Sequence, residues 1–218
     1  ISDSHALASV TVQSHATRHY AGGLVGHSGG GSIERSYATG SAVSDGGVYG
    51  HAGGLAGALS GGGTVHASHA TGNATVKGVI NKGNLEMGTF AGGLVGWSSG
   101  SINASYASGN AWAHGILDSG PISSMRNTAG GLAGYNEGGI YHSYASGNAT
   151  LNITYSFSYD YAGGLVGYNT GTLNSVYATG RAGFERSDAY PYAGGLVGGN
   201  SSGVIANAYY ATTDAAGS

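Results

Sequence analysis

Ala21-Gly-Gly-Leu-Val-Gly26 is written six times along the chain, beginning at Ala21, Ala52, Ala91, Ala129, Ala162 and Ala193, with Ala in place of Val in two copies. Successive copies stand 31, 39, 38, 33 and 31 residues apart. A second word follows each at 14 to 16 residues: Ser36-Tyr-Ala-Thr-Gly, Ser68-His-Ala-Thr-Gly, Ser105-Tyr-Ala-Ser-Gly, Ser143-Tyr-Ala-Ser-Gly, Val176-Tyr-Ala-Thr-Gly and Tyr209-Tyr-Ala-Thr-Thr. A degraded seventh copy opens the chain at Ser4-His-Ala-Leu-Ala. The half of the unit between the two words is nearly constant in length and the other half absorbs the variation. Self-similarity at a period of this size marks a stacked-repeat architecture, with the fixed half as scaffold and the variable half as loops.

Composition agrees with a periodic chain. Of 218 residues 45 are Gly and only 8% are charged, against usual shares of about 7% and about a quarter. Gly pairs in every unit and the lack of a 3.6-residue apolar stripe argue against helix. Short runs bounded by Gly, Asn and Ser read as strands and turns. Three strands of about five residues with three turns of similar length use about 30 residues, and the shortest repeat is 31. The expectation is an all-β fold, a parallel β-solenoid or β-helix wound right-handed, with about one three-strand coil per 31–39-residue repeat. Residues 1–218 then form a single array of six repeats plus a partial N-terminal one, a fragment of a longer chain or the subunit of a filament.

Stacked coils convert sequence repeats into columns along the solenoid axis. Leu24, Leu55, Leu94, Leu132, Leu165 and Leu196 form one column, expected to point inward. Ile33, Val65, Ile102, Ile140 and Leu173 form a second. Tyr37, Tyr106, Tyr144 and Tyr177, with His5 and His69, form an aromatic column. Tyr20, His51, Phe90, Tyr161 and Tyr192 precede the first word, and His27, Trp97, Tyr135 and Tyr168 follow it. Asn136, Asn169 and Asn200 form an amide ladder.

The recurring Gly-Gly-Leu-Val-Gly followed by Ser-Tyr-Ala-Thr-Gly resembles the GLUG motif, found in tandem in bacterial surface proteins of adhesin-like and filamentous-haemagglutinin-like type and in some IgA-specific metallopeptidases. The resemblance extends over essentially the whole chain. It implies an exported, elongated solenoid region. In the peptidases the chemistry lies outside such repeats, and no H-E-x-x-H zinc motif occurs here.

The motifs of chemistry have bland explanations. Gly-x-Ser-x-Gly occurs around Ser28, Ser98 and Ser201, but the first two share a repeat position held elsewhere by Leu59, Asn136 and Asn169, and no helix follows as a hydrolase elbow needs. His66 with His69, and His15 with His19, have ligand-like spacing. His5, His27, His51 and His69, however, stand in aromatic columns, and neither Cys nor a carboxylate cluster completes a zinc site. The acids recur at no fixed position, and Glu185, Arg186 and Asp188 read as a solvated face. The chain is therefore expected to be no enzyme and to hold no cofactor or metal.

Partners are expected elsewhere. Two Lys and five Arg, spread thinly with a net charge of −3, exclude a phosphate-neutralising stripe and hence nucleic acid. No apolar run reaches the roughly 20 residues of a membrane span. Tyr49, Trp112, Tyr155, Phe157, Tyr159 and Tyr190 lie in the variable halves, where no ladder demands an aromatic. They are the candidate interaction residues for other surface proteins, glycans or copies of the chain, including end-to-end self-assembly. Asn73, Asn103, Asn148, Asn152 and Asn200 head Asn-x-Ser/Thr sequons and are candidate glycosylation sites. Two functional readings follow. One is a structural and adhesive module at the cell surface, and the other a carbohydrate-binding or carbohydrate-active β-helix. A column of hydroxyls at Thr39, Thr71, Ser108, Ser146, Thr179 and Thr212 would serve ice or crystal binding only if flat and exposed.

Overall fold

The structure, a computed structural model, describes residues 1–13, 18–47, 49–80, 87–117, 125–154, 158–187 and 190–211. One coil shows the plan. After the variable segment the chain enters strand Tyr49–Gly53 (sheet C), turns at Gly54-Leu55 into Ala56–Ser60 (sheet D), runs through Thr64–His66 and His69–Ala70 (sheet A), and continues into Ala74–Ile80 (sheet B). Among the described residues the coils pair in parallel throughout and in register, apart from one shift between Leu151 and Asn152 where Ala149–Ile153 pairs with Ala182–Ser187. Sheets B, C and D are each six strands deep, and with sheet A they form the expected all-β parallel solenoid, with four sheets to the coil where the sequence suggests three strands. The fourth sheet has eleven strands, because each coil contributes two short strands that merge into single strands at Thr172–Ala178 and Val204–Tyr210. The described residues contain no helix.

Side chains divide the interior into two cores. Sheets A and D enclose Ile33, Val65, Ile102, Ile140, Leu173 and the leucine column, of which Leu55, Leu94, Leu132 and Leu165 are fully buried. Leu24 and Leu196, in the outer levels, pack against this core and are partly buried. Sheets B and C enclose a second, alanine-rich core that includes Ala21, Ala52, Ala91, Ala129 and Ala162. The first word therefore carries the chain from one core to the other, its Ala in the second and its Leu in the first. At this crossing the Leu carbonyl of one coil accepts two amides of the coil before it, as Leu132 does from Leu94 and Val95 at 2.8 and 3.0 Å.

The glycines of the word are set by close approach. A Cβ built on Gly131 would overlap the Gly164 carbonyl oxygen of the next coil and lie 3.0 Å from the Ala145 methyl. Coils spaced about 4.8 Å apart leave no room there for a side chain. None of the word's glycines has a left-handed backbone, whereas one corner of every coil carries a left-handed non-glycine residue: Asp3, Arg35, Ala67, Ala104, His142, Ser175 and Asn207, with φ of 46–56°.

That corner creates a problem that a serine solves. At Asp3, Arg35, Ala67 and Ala104 the chain bends between two short sheet A segments, and the next amide needs a side-chain acceptor. Ser Oγ of the following coil supplies it: the amides of Ser4, Ser36, Ser68 and Ser105 donate to Oγ of Ser36, Ser68, Ser105 and Ser143 at 3.0–3.1 Å. Each Oγ in turn donates to the carbonyl two residues earlier in its own coil. Where Val176 and Ala208 take the position, the strand runs unbroken through the corner. Ser105→Ala removes an acceptor for the Ser68 amide and a donor to the Asn103 carbonyl in a buried setting. A loss of about 1–3 kcal/mol is expected in urea unfolding.

The last repeat corrects the sequence alignment by one residue. Tyr209, not Tyr210, pairs with Tyr177, and Tyr210 pairs with Ala178. The register follows Leu173↔Ile205, which continues the aliphatic column of Ile33, Val65, Ile102 and Ile140, and the ring follows four residues later, as in the other coils.

Candidate interaction surfaces

Alternation places the second word's aromatic on the outside of sheet A, with Ala inside. His5, Tyr37, His69, Tyr106, Tyr144 and Tyr177 form one continuous stack, with centroids 4.7–5.2 Å apart and planes within 10° of parallel. The ring faces cover one another, leaving edges and hydroxyls to solvent. Burial holds the His69 imidazole below its usual pKa. It raises Tyr144, and the Tyr177 and Tyr106 phenols add to that rise. Tyr106→Ala breaks two stacked contacts, and about 1–3 kcal/mol should be lost at neutral pH by urea unfolding.

Aromatics flanking the first word meet across its corner. Tyr20 stacks on His27 at 5.1 Å and Tyr161 contacts Tyr168 at 4.6 Å, so the outer faces of sheets C and D form a re-entrant seam filled by rings. Where one side is small the neighbouring coil fills the space, as when Trp97 reaches His51 beside Ala58. Here the rings pack edge-on or tilted: Tyr20 on His51, His51 on Phe90 and Phe90 on Tyr135. The Arg126 guanidinium covers the Tyr168 and Tyr135 rings at 4.3 and 5.5 Å. Burial pushes the His51 pKa down to about 3, helped by the charges of Arg18 and His27.

Two polar ladders lie inside. Asn136 Nδ2 donates to Asn169 Oδ1, and Asn169 Nδ2 to Asn200 Oδ1, each at 2.8 Å. Ser98 shares this column, with its Oγ buried beneath sheet D. The second ladder runs through the sheet B and C core: Thr89 Oγ1 donates to Asn127 Oδ1 and Asn127 Nδ2 to Asp160 Oδ1 at 2.8 and 2.9 Å, all three residues buried. Sequence reasoning missed this ladder and the serine one. Both had a signal, a polar residue two places before the first word in most copies and Ser at the head of the second word.

The candidate interaction residues are dispersed. Tyr49 lies under the Arg18 guanidinium at 5.4 Å, and Tyr159 and Tyr190 pair at 6.0 Å on the outside of sheet C, 47% and 62% exposed. Trp112 stands on the outside of sheet B, half-buried, and its one ring contact among the described residues is edge-on, to His114 at 5.0 Å and 89°. Tyr155 and Phe157 lie outside the described residues. Of the sequons, Asn73 and Asn148 are exposed at the turn before sheet B, and each accepts the amide of the next coil on Oδ1 at 2.9 Å. Asn103 faces His142 at 3.2 Å, Asn152 donates to Glu185 at 2.9 Å, and Asn200 accepts from Asn169 on Oδ1 and donates Nδ2 to the Gly203 carbonyl.

Thr39, Thr71, Ser108 and Ser146 are exposed and Thr179 is half-buried. Thr212 lies outside the described residues, and Ala211 takes the column position, its amide bonding the Ala178 carbonyl. The column runs beside the tyrosine row, two residues along each coil, so its hydroxyls lie at the foot of a ridge rather than on a flat plane. Among the described residues no three His, Cys, Asp or Glu side chains gather as a metal group. Asp3 and Glu34 both approach Arg35, at 2.8 and 3.5 Å. No helix of the described residues is long and apolar enough to cross a membrane.

The arrangement is thus a scaffold of stacked coils whose outer columns repeat at one spacing. Residues 17–44, which span the first copy of both words, match the family model of the GLUG motif. No curated protein and no solved structure matches the chain.

Proposed function

We propose that the chain is a structural and adhesive module of an exported bacterial surface protein or filament. It extends as a stiff rod and makes contacts with other surface proteins, glycans or copies of itself through its outer columns. The observation that carries this reading is the concentration of aromatic side chains in axial rows outside a continuously hydrogen-bonded stack. Equal spacing along a rigid support favours many weak, simultaneous contacts, whose avidity exceeds any single affinity. In this reading the chain is extracellular and performs no catalysis.

Beads densely coated with the chain should be retained on cell or matrix-coated surfaces under flow several-fold more than beads coated with an inert protein. Sparse coating should abolish the difference. Equal retention at high density overturns the adhesive role. A carbohydrate-binding module is the second reading, favoured by the Trp112 indole on the outer face of sheet B.

A further inference from the structure

Most outer rings offer edges and hydroxyls to a partner rather than an open face. The sheet A rings cover one another face to face, and the seam rings are covered by neighbours or by Arg126. Trp112 differs. The indole is half-buried, with axial neighbours Thr75 and Thr150 in sheet B that are too short to cover its face fully, and its one ring neighbour among the described residues, His114, meets it edge-on.

Two residues back along the same face stands a row of amides. Asn73 Oδ1 accepts the Asn110 amide, Asn110 Oδ1 the Asn148 amide, and Asn148 Oδ1 the Arg181 amide, all at 2.9 Å. With each oxygen held by the next coil, the carboxamide plane is fixed and its NH2 group is the end left to solvent. These donors repeat at the coil spacing, about 4.8 Å, and their orientation is set before any ligand arrives. On the far side of Trp112 the column Asp45, Lys77, His114 and Asn152 mixes both signs of charge, which selects neither an anionic nor a cationic partner.

We infer that the outer face of sheet B around Trp112 is a binding subsite for a neutral glycan chain lying along the solenoid axis. A pyranose presents an apolar face of C–H groups, which packs on the indole, and a rim of hydroxyls, whose oxygens accept from the Asn73, Asn110 and Asn148 NH2 groups. Aromatic contact supplies the affinity and the fixed amides supply the orientation. The site rests on the carbohydrate-binding reading and locates it.

The test is calorimetric titration of the whole chain with a panel of neutral hexasaccharides, β-1,4-glucan, xylan and chitin fragments among them. At least one should bind with millimolar or tighter affinity. Trp112→Ala should weaken that binding at least tenfold, and Trp112→Phe should restore part of it. Thr150→Arg, which keeps the indole but crowds its face, should also weaken it, so a folding defect in one variant does not decide the result. Binding undiminished by Trp112→Ala and Thr150→Arg overturns this site and leaves the glycan reading standing. No binding to any member of the panel overturns both.

Discussion

Gly131→Val should split the thermal unfolding of the chain into two transitions and cost on the order of 4 kcal/mol or more. The added Cβ alone overlaps the Gly164 carbonyl oxygen, and it crowds the Gly147 carbonyl at 2.9 Å and the Ala145 methyl at 3.0 Å. Two of those atoms are backbone, so no rotamer change relieves the contact, and the coil must separate from its neighbour. In a stacked repeat each coil is stabilised by its neighbours, so a central break should uncouple the levels on either side. Gly183→Val is the matched control. It has nothing within 4 Å of its Cβ position and lies in the outer column of Thr150, where a β-branched residue fits a strand. Its melting temperature should be unchanged or slightly raised. Equal behaviour of the two variants in calorimetry would show that Gly in the word is not there for close approach.

Acid should destabilise the protein well above the range where its carboxylates titrate. His51 is 7% exposed among Tyr20, Phe90 and Trp97, and its pKa is held down to about 3. An unfolded chain takes up a proton on this imidazole near pH 6.5, whereas the folded chain does not until about pH 3. The contribution is therefore complete above pH 6.5 and is lost as pH falls toward 3, at about 1.4 kcal/mol per pH unit. Between pH 7 and pH 4 this one group should account for about 3 kcal/mol. His69 and His114, both shifted down chiefly by burial, act in the same direction. Urea midpoints measured at pH 7.5 and pH 4 should differ accordingly, and His51→Phe should remove most of the difference. Identical midpoints in the parent chain would sink the assignment.

Much of the stack was legible because a parallel ladder turns sequence repeats into spatial columns with no further information. Leu24 through Leu196, the six-ring stack from His5 to Tyr177, and the Asn136-Asn169-Asn200 chain all follow from aligning the two words. The misaligned last copy shows where that logic is weak. Tyr209-Tyr210 offers two equal choices to a reader of letters, and only the strand register that sets Ile205 beside Leu173 chooses between them.

Other features were present as letters without meaning. The leading Ser of the second word looked like one more small polar residue until the left-handed corner beside it left an amide in need of an acceptor. Likewise, Trp112 reads in the sequence only as an aromatic that no ladder requires, and what makes it a surface is what adjoins it, two threonines and a row of fixed amides.

The sequence by itself determined the repeat, the parallel stacking, the inward leucines and the close-packed glycines, because each depends only on which residue types recur at one spacing. The tertiary structure decided the division into two cores, the facing of rings on one another or across a seam, and the side on which polar groups are satisfied. Those outcomes depend on the angles between sheets and on the partner that each column meets across a corner. Such partners lie about half a coil away, at no fixed distance in a chain whose loops differ in length.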